Sequence, residues 1–298
     1  MTVLETRLEA PSPLSLTVLS RTAGIVAGVS ADHKLRIWNT RTRAVTHTLD
    51  VAGREAAFLA ISEDGRLLML ADYASRLTVW NTTTARVQWT LKTPRYLTAA
   101  TFSRDGKLVA VAPGAVVQVY DLATHNLVRQ IESTAGTSAV AFSRDNLSVA
   151  ATDAVGTSVY DVPTKKLWTK NEDFLNEPLA VEFALDGKSL FAGGGDGVVV
   201  HFDARSGEAL GRSETLSDPV FYLETSIAGG TIAAVTLSAD DPTRPTPVVF
   251  FDVASLEPTS KWIPPSGVLL PGATWSSDGT FLAVTQSPRT LHIWSIQL

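Results

Sequence analysis

Five histidines, one glycine-rich run and two clusters of acids are the parts of this chain that could do chemistry, and their spacing is wrong for it. His33, His47, His125, His201 and His292 make no HxH or HxxxH pair, and none has a carboxylate at metal-ligand spacing. They read as surface or internally satisfied strand residues, and no metal is expected. Gly193-Gly194-Gly195-Asp196-Gly197 has neither the following helix, the Lys-Ser/Thr ending nor the G-x-G-x-x-G spacing of a phosphate-cradling loop. It reads as a tight turn. Asp240-Asp241 and the group Glu172, Asp173 and Glu177 lack a calcium-loop pattern and read as solvated loop acids. There is no G-x-S-x-G elbow, and the absence of cysteine removes thiolate catalysis, thiolate metal sites and disulfides together. No catalytic residue and no cofactor are therefore expected. A site assembled from distant segments would leave no local motif, so that alternative stays open.

Charge narrows the partner classes. The formal net charge is −5, and the longest basic run is the pair Lys165-Lys166. Nucleic-acid binding needs a concentrated basic surface, so no nucleic-acid partner is expected. Charged residues interrupt the apolar ones in Met1–Glu9, which leaves no signal-peptide core, and no apolar run approaches the length that spans a bilayer. The expectation is a cytoplasmic protein with no membrane partner.

The elements that must position any site are legible as a repeat. An aromatic residue followed by a small polar one ends a run of β-formers at Trp38-Asn39, Trp80-Asn81, Tyr120-Asp121, Tyr160-Asp161, Phe202-Asp203, Phe251-Asp252 and Trp294-Ser295. Successive aromatics lie 42, 40, 40, 42, 49 and 43 positions apart. A period near 40 with four short strands per unit marks the blades of a β-propeller, a fold in which every blade interface is its own small core. A composition with 45% hydrophobic and 18% charged residues suits many buried strands. The fold class is therefore all-β: a seven-bladed β-propeller with four antiparallel strands per blade, as one domain over residues 1–298.

Tight turns recur upstream of the aromatics at Ser62-Glu63-Asp64-Gly65, Ser103-Arg104-Asp105-Gly106, Ser143-Arg144-Asp145-Asn146, Ala184-Leu185-Asp186-Gly187 and Ser276-Ser277-Asp278-Gly279. Asp-Gly and Asp-Asn supply the positive φ that a short hairpin demands. Each Asp stands 15 or 16 positions before its aromatic, so the hairpin between them is the same object each time. A unit then reads as strand a, turn, strand b, turn, strand c ending on the aromatic, and strand d. In the second unit these are about 56–62, 67–71, 77–81 and 87–91, and in the third about 97–103, 108–111, 116–121 and 127–131. Strand a is expected to carry small residues, as in Ala99-Ala100-Thr101-Phe102, because it lies where the blades converge. The first and sixth units lack the Asp-Gly turn, and three prolines in 240–247 enlarge the sixth unit's b–c loop.

Strand c of the last unit ends four residues before the chain does, while Thr2–Leu8 precedes the first unit's strand a (about Leu14–Leu19) with no unit of its own. Thr2–Leu8 is therefore expected as strand d of the seventh blade. That pairing would close the ring and cover an open edge.

These repeats resemble the WD-repeat family of seven-bladed propellers across essentially the whole chain. The Trp-Asp pair itself never occurs intact, and the family's Gly-His before strand a is missing. The family's turn Asp, six positions before the aromatic, is matched only by Asp32 and Asp196; Ala74, Gly114, Ala154, Pro245 and Pro288 stand at the other five places. The resemblance implies that d–a and b–c loops form a rim where partners dock. Those loops carry Arg54, Tyr73, Arg76, Arg95, Tyr96, Phe174, Arg244 and Arg289. Arginine and aromatic residues are enriched at interface hot spots. The resulting expectation is a monomeric, non-enzymatic platform for a protein or peptide partner; the alternative is a small-ligand or catalytic propeller using its channel mouth.

Overall fold

In the computed structural model of the chain, residues 1–51, 55–133, 135–163, 166–170, 177–226, 229–238, 240–241, 244–265, 269–276, 278–287 and 289–298 are described. The described residues contain 28 strands and no helix. β1 (Thr2–Glu9) comes before the first blade, which is β2 (Leu14–Leu19), β3 (Ile25–Ser30), β4 (Lys34–Asn39) and β5 (Val45–Asp50). The second is β6 (Ala56–Ile61), β7 (Leu67–Asp72), β8 (Arg76–Asn81) and β9 (Val87–Lys92), and the third is β10 (Ala99–Phe102), β11 (Leu108–Ala112), β12 (Val116–Asp121) and β13 (Leu127–Glu132). The fourth is β14 (Thr137–Phe142), β15 (Ser148–Asp153), β16 (Gly156–Asp161) and β17 (Lys166–Lys170); the fifth is β18 (Pro178–Phe183), β19 (Ser189–Gly194), β20 (Val199–Asp203) and β21 (Ala209–Arg212). The sixth is β22 (Val220–Thr225), β23 (Thr231–Thr236), β24 (Val248–Asp252) and β25 (Pro258–Trp262), and the last strands are β26 (Leu269–Trp275), β27 (Phe281–Ser287) and β28 (Thr290–Gln297). The fold is a seven-bladed β-propeller: seven sheets of four antiparallel strands, six in chain order and the seventh in the order β1-β28-β27-β26.

The chain divides into two compact units, Met1–Leu97 with Gly267–Leu298, and Thr98–Ser266. Within each, the first strands of successive blades touch: β26, β2 and β6 in one, β10, β14, β18 and β22 in the other. Alternation of side chains about each strand then buries both faces of a blade. In the fourth blade Val149, Ala151 and Tyr160 pack on the third, while Ala150, Val159 and Trp168 pack on the fifth. Each such interface is a separate core, and the aromatic closers fill it; Trp38, Phe202 and Phe251 are fully buried.

Turn chemistry explains the strand ends. In the a–b turns, Ser62 Oγ donates to Asp64 (2.7 Å) and accepts from the Leu67 amide (3.0 Å), with Gly65 at φ 71°. The first and sixth blades, which lack the Asp, keep the serine: Ser20 Oγ accepts from Ile25 N (3.0 Å) and Ser226 Oγ from Thr231 N (3.1 Å). The small polar residue after five of the seven closers has an equally local task. Asn39, Asn81, Asp121, Asp203 and Asp252 each accept from the backbone amides two and three residues on, and from a Thr or Ser hydroxyl three residues on. For Asp121 the Thr124 amide is the largest of the influences holding the carboxyl below its usual range. The residue five after the aromatic is left-handed in these five turns: Arg43, Ala85, His125, Gly207 and Leu256. A β-bulge falls at the closer in all six covalent c–d hairpins.

The seventh c–d pair has no hairpin and no bulge. β1 runs along β28 in unbroken register from Thr2↔Gln297 to Glu9↔Thr290, which bears out the expected role of the N-terminal segment. Leu8 anchors it in a core with Ala10, Leu14, Trp38, Leu291 and Ile293. On the other face Glu5 accepts from Arg7 (2.8 and 3.1 Å) and sits 2.6 Å from His292 Nδ1. The Arg7 guanidinium first, then His292, lowers the Glu5 carboxyl from the usual 4.5 to about 2. A lowered acid stabilises the fold above its unfolded value and loses that contribution as pH falls from about 4.5 towards 2. Glu5→Gln is therefore less stable than wild type near neutrality, and the gap in thermal midpoint closes through this acid window. A gap that stays constant with pH would exclude the pairing as its source.

Candidate functional site

The b–c turn of the second blade and the segment after β9 are fastened to one another. Asp72, buried at the end of β7, accepts from the Arg76 amide (2.9 Å), and its carbonyl accepts from Ser75 N (3.0 Å), with Ser75 at φ 63°. Thr93, itself buried, donates its amide to the Ser75 carbonyl (2.9 Å). Its hydroxyl is 2.7 Å from the Arg95 carbonyl and 3.1 Å from that of Ser75, so its single proton serves the nearer. Lys92 Nζ reaches the Ala74 carbonyl, and the Tyr73 amide donates to the Glu55 carbonyl (3.2 Å).

Two short segments pinned in this way present Tyr73 (63% exposed) and Tyr96 (57%), with Arg76 and Arg95 also in solvent. Among the described residues neither guanidinium has a hydrogen-bond or ion-pair partner.

The other sequence candidates fall differently. Arg289 is exposed in the turn before β28, and its carbonyl accepts from Ala10 N (2.8 Å). Arg244 belongs to the other unit and is already neutralised by the buried carboxylate of Asp218. The two residues are 26 positions apart, and no spacing rule joins them. Arg54 and Phe174 lie outside the described residues. The structure therefore brings together Tyr73, Arg76, Arg95 and Tyr96. Thr93, which holds their two segments, was overlooked; a Thr just past strand d, opposite a b–c turn, is the signal that could have found it.

Two features on the first strands also escaped sequence reasoning. Arg104, in the a–b turn of the third blade, meets Glu182 of β18 (3.2 Å), and both are mostly buried. Small residues hold in β10 and β14, but β22 exposes Phe221 (36%) and Tyr222 (48%), a departure from the expected small strand a. Burial of its phenol end pushes the Tyr222 hydroxyl up, although nearly half of the residue's surface stays exposed.

The histidines do not converge. His201 is buried, stacks on Phe191 at 4.6 Å, and burial pulls its imidazole down against the opposing fields of Asp186 and Asp203. Among the described residues no group of three or more His, Asp and Glu could hold a metal ion. Gly193–Gly197 forms the expected turn, with Gly197 at φ 76° and Asp196 accepting from Val198 N (3.2 Å). Asp32, at the turn position six before Trp38, hydrogen-bonds within its blade to Ser30, Lys34 N and Arg36.

No family model matches the chain, and no curated protein matches it. A chain in the crystal structure of the mitotic checkpoint complex has the same fold. It superposes with a TM-score of 0.82 at 16% identity, over 98% of this chain and 91% of that one. Identity so low establishes the fold alone. No helix among the described residues is long and apolar enough to cross a membrane.

Proposed function

We propose that the chain is a divergent WD-repeat-like propeller, one domain, that serves as a rigid, non-enzymatic platform for a protein or peptide partner in the cytoplasm. The observation that carries this reading is the second blade's rim, where two exposed tyrosines and two unpartnered arginines stand on segments locked by Thr93. Rigid presentation lowers the entropy lost on binding, and Tyr and Arg are the residue types that dominate interface energetics. The shared fold with a member of a protein assembly is consistent with it.

The test is affinity capture from the native source with wild type and the double variant Arg95→Ala/Tyr96→Ala. A partner that depends on the rim is lost from the variant at unchanged thermal midpoint. Identical captured sets would remove these residues from the proposal. A second reading, a small ligand at the first strands, is favoured by the exposed rings of Phe221 and Tyr222 on β22; Tyr222→Ala would weaken ligand binding and leave rim capture intact.

A further inference from the structure

The rim's charge specifies its partner further, on the premise that the rim is the docking site. Most arginines that the fold brings near an acceptor are consumed internally: Arg7 by Glu5, Arg36 by Asp32, Arg104 by Glu182 and Arg244 by Asp218. Arg76 and Arg95 are exceptions on a protein whose net charge is −5. At their end of the second blade, the Asp72 carboxylate is buried and accepts from the Arg76 amide, so that among the described residues of these two segments and the start of β6 the exposed acid is Glu55. Arg76, Arg95 and Lys92 outnumber it, so the patch is locally positive on an acidic surface. A guanidinium is a planar fork that fits a carboxylate with two parallel hydrogen bonds, and the neighbouring tyrosines offer apolar faces to the stems beside it.

We propose that the segment this rim receives is acidic: a peptide whose Asp or Glu carboxylates are taken by Arg76 and Arg95, with Tyr73 and Tyr96 packed alongside. Two free cations match one or two carboxylates. They are too few for a nucleic-acid strand, whose binding rests on many phosphate contacts.

The experiment selects a randomised short-peptide library on the immobilised full chain. It compares wild type with Arg76→Ala/Arg95→Ala, and with Arg41→Ala/Arg43→Ala as a control on the exposed c–d turn of the first blade. The expected result is enrichment of Asp- and Glu-containing peptides on wild type and on the control. The rim double variant should bind them about tenfold more weakly, and wild-type binding should fall with added salt. Arg76→Lys/Arg95→Lys should recover part of the loss, because charge survives and the fork does not. Enrichment of neutral or basic peptides would overturn the acidic assignment, as would a single-stranded oligonucleotide that outcompetes every selected peptide. Acidic peptides held equally by the rim double variant would instead overturn the rim as the docking site. Native-source capture that depends on Arg95 and Tyr96, alongside no acidic enrichment, would leave the platform reading standing and remove this one. Matching thermal midpoints of all variants confirm that binding, and not folding, is compared.

Discussion

Replacing Leu8 by Ala costs about 2–5 kcal/mol, a fall in thermal midpoint on the order of 10 °C. Leu8 is 1% exposed and sits in the core formed by the first blade and the seventh, against Leu14, Trp38, Leu291 and Ile293. β1 is held to its sheet by no hairpin, so this contact, the eight-residue ladder to β28 and the Glu5–His292 contact fix it. Deleting residues 1–9 should do more than the point substitution. It leaves the outer edge of β28 unpaired, with its backbone donors and acceptors open to other chains, and it uncovers Leu291 and Ile293. The truncated protein is expected to scatter light well below the wild-type melting temperature. Leu4→Ala is the control, since Leu4 is 66% exposed, and it should change stability by no more than about 0.5 kcal/mol. A truncated chain that melts at the wild-type midpoint without aggregating would sink the closure.

Gly207→Ala is the second large effect, about 2–4 kcal/mol, and it has two separable causes. Gly207 holds φ 73°, a left-handed conformation that costs an alanine roughly 1–2 kcal/mol. A methyl there would also lie 2.6 Å from Cδ2 of Trp168, whose ring is buried on Phe202 and whose indole N–H is held by the Ala204 carbonyl at 3.0 Å. The turn itself tolerates side chains, because Arg43, Ala85, His125 and Leu256 occupy the same position in other blades at φ 55–62°. The cost of Gly207→Ala should therefore shrink when Trp168→Ala is made first. Equal costs in both backgrounds would mean that the ring plays no part.

Much of the fold could be read from neighbouring residues. The aromatic closers, the Ser-x-Asp-Gly turns and the unassigned N-terminal segment predicted seven sheets and the partner of β1, because side-chain alternation and turn chemistry act over a few positions. The boundaries shifted slightly: the second blade's first strand ends at Ile61 and its third begins at Arg76, while the third blade's first strand is only Ala99–Phe102. The pattern of Asn or Asp, two residues and then Thr or Ser after the first six closers was also local. Its signal competes with that of the strand, because the same aromatic-polar pair both ends a strand and caps the turn that follows.

The candidate site was only half legible. The sequence supplied Tyr73, Arg76, Arg95 and Tyr96, which the fold places on neighbouring segments, and Arg244, which it pairs with Asp218.

On its own, the sequence was sufficient for the blade count, the turn positions and the supply of arginines and aromatics. Tertiary structure alone decided which cations stay free, which glycine faces a tryptophan and which aromatic rings of a first strand stay exposed. Hydrogen bonding and sterics along a strand are short-range in sequence. An ion pair such as Arg104–Glu182, 78 positions apart, exists only after separate blades have been packed within a few ångströms of each other.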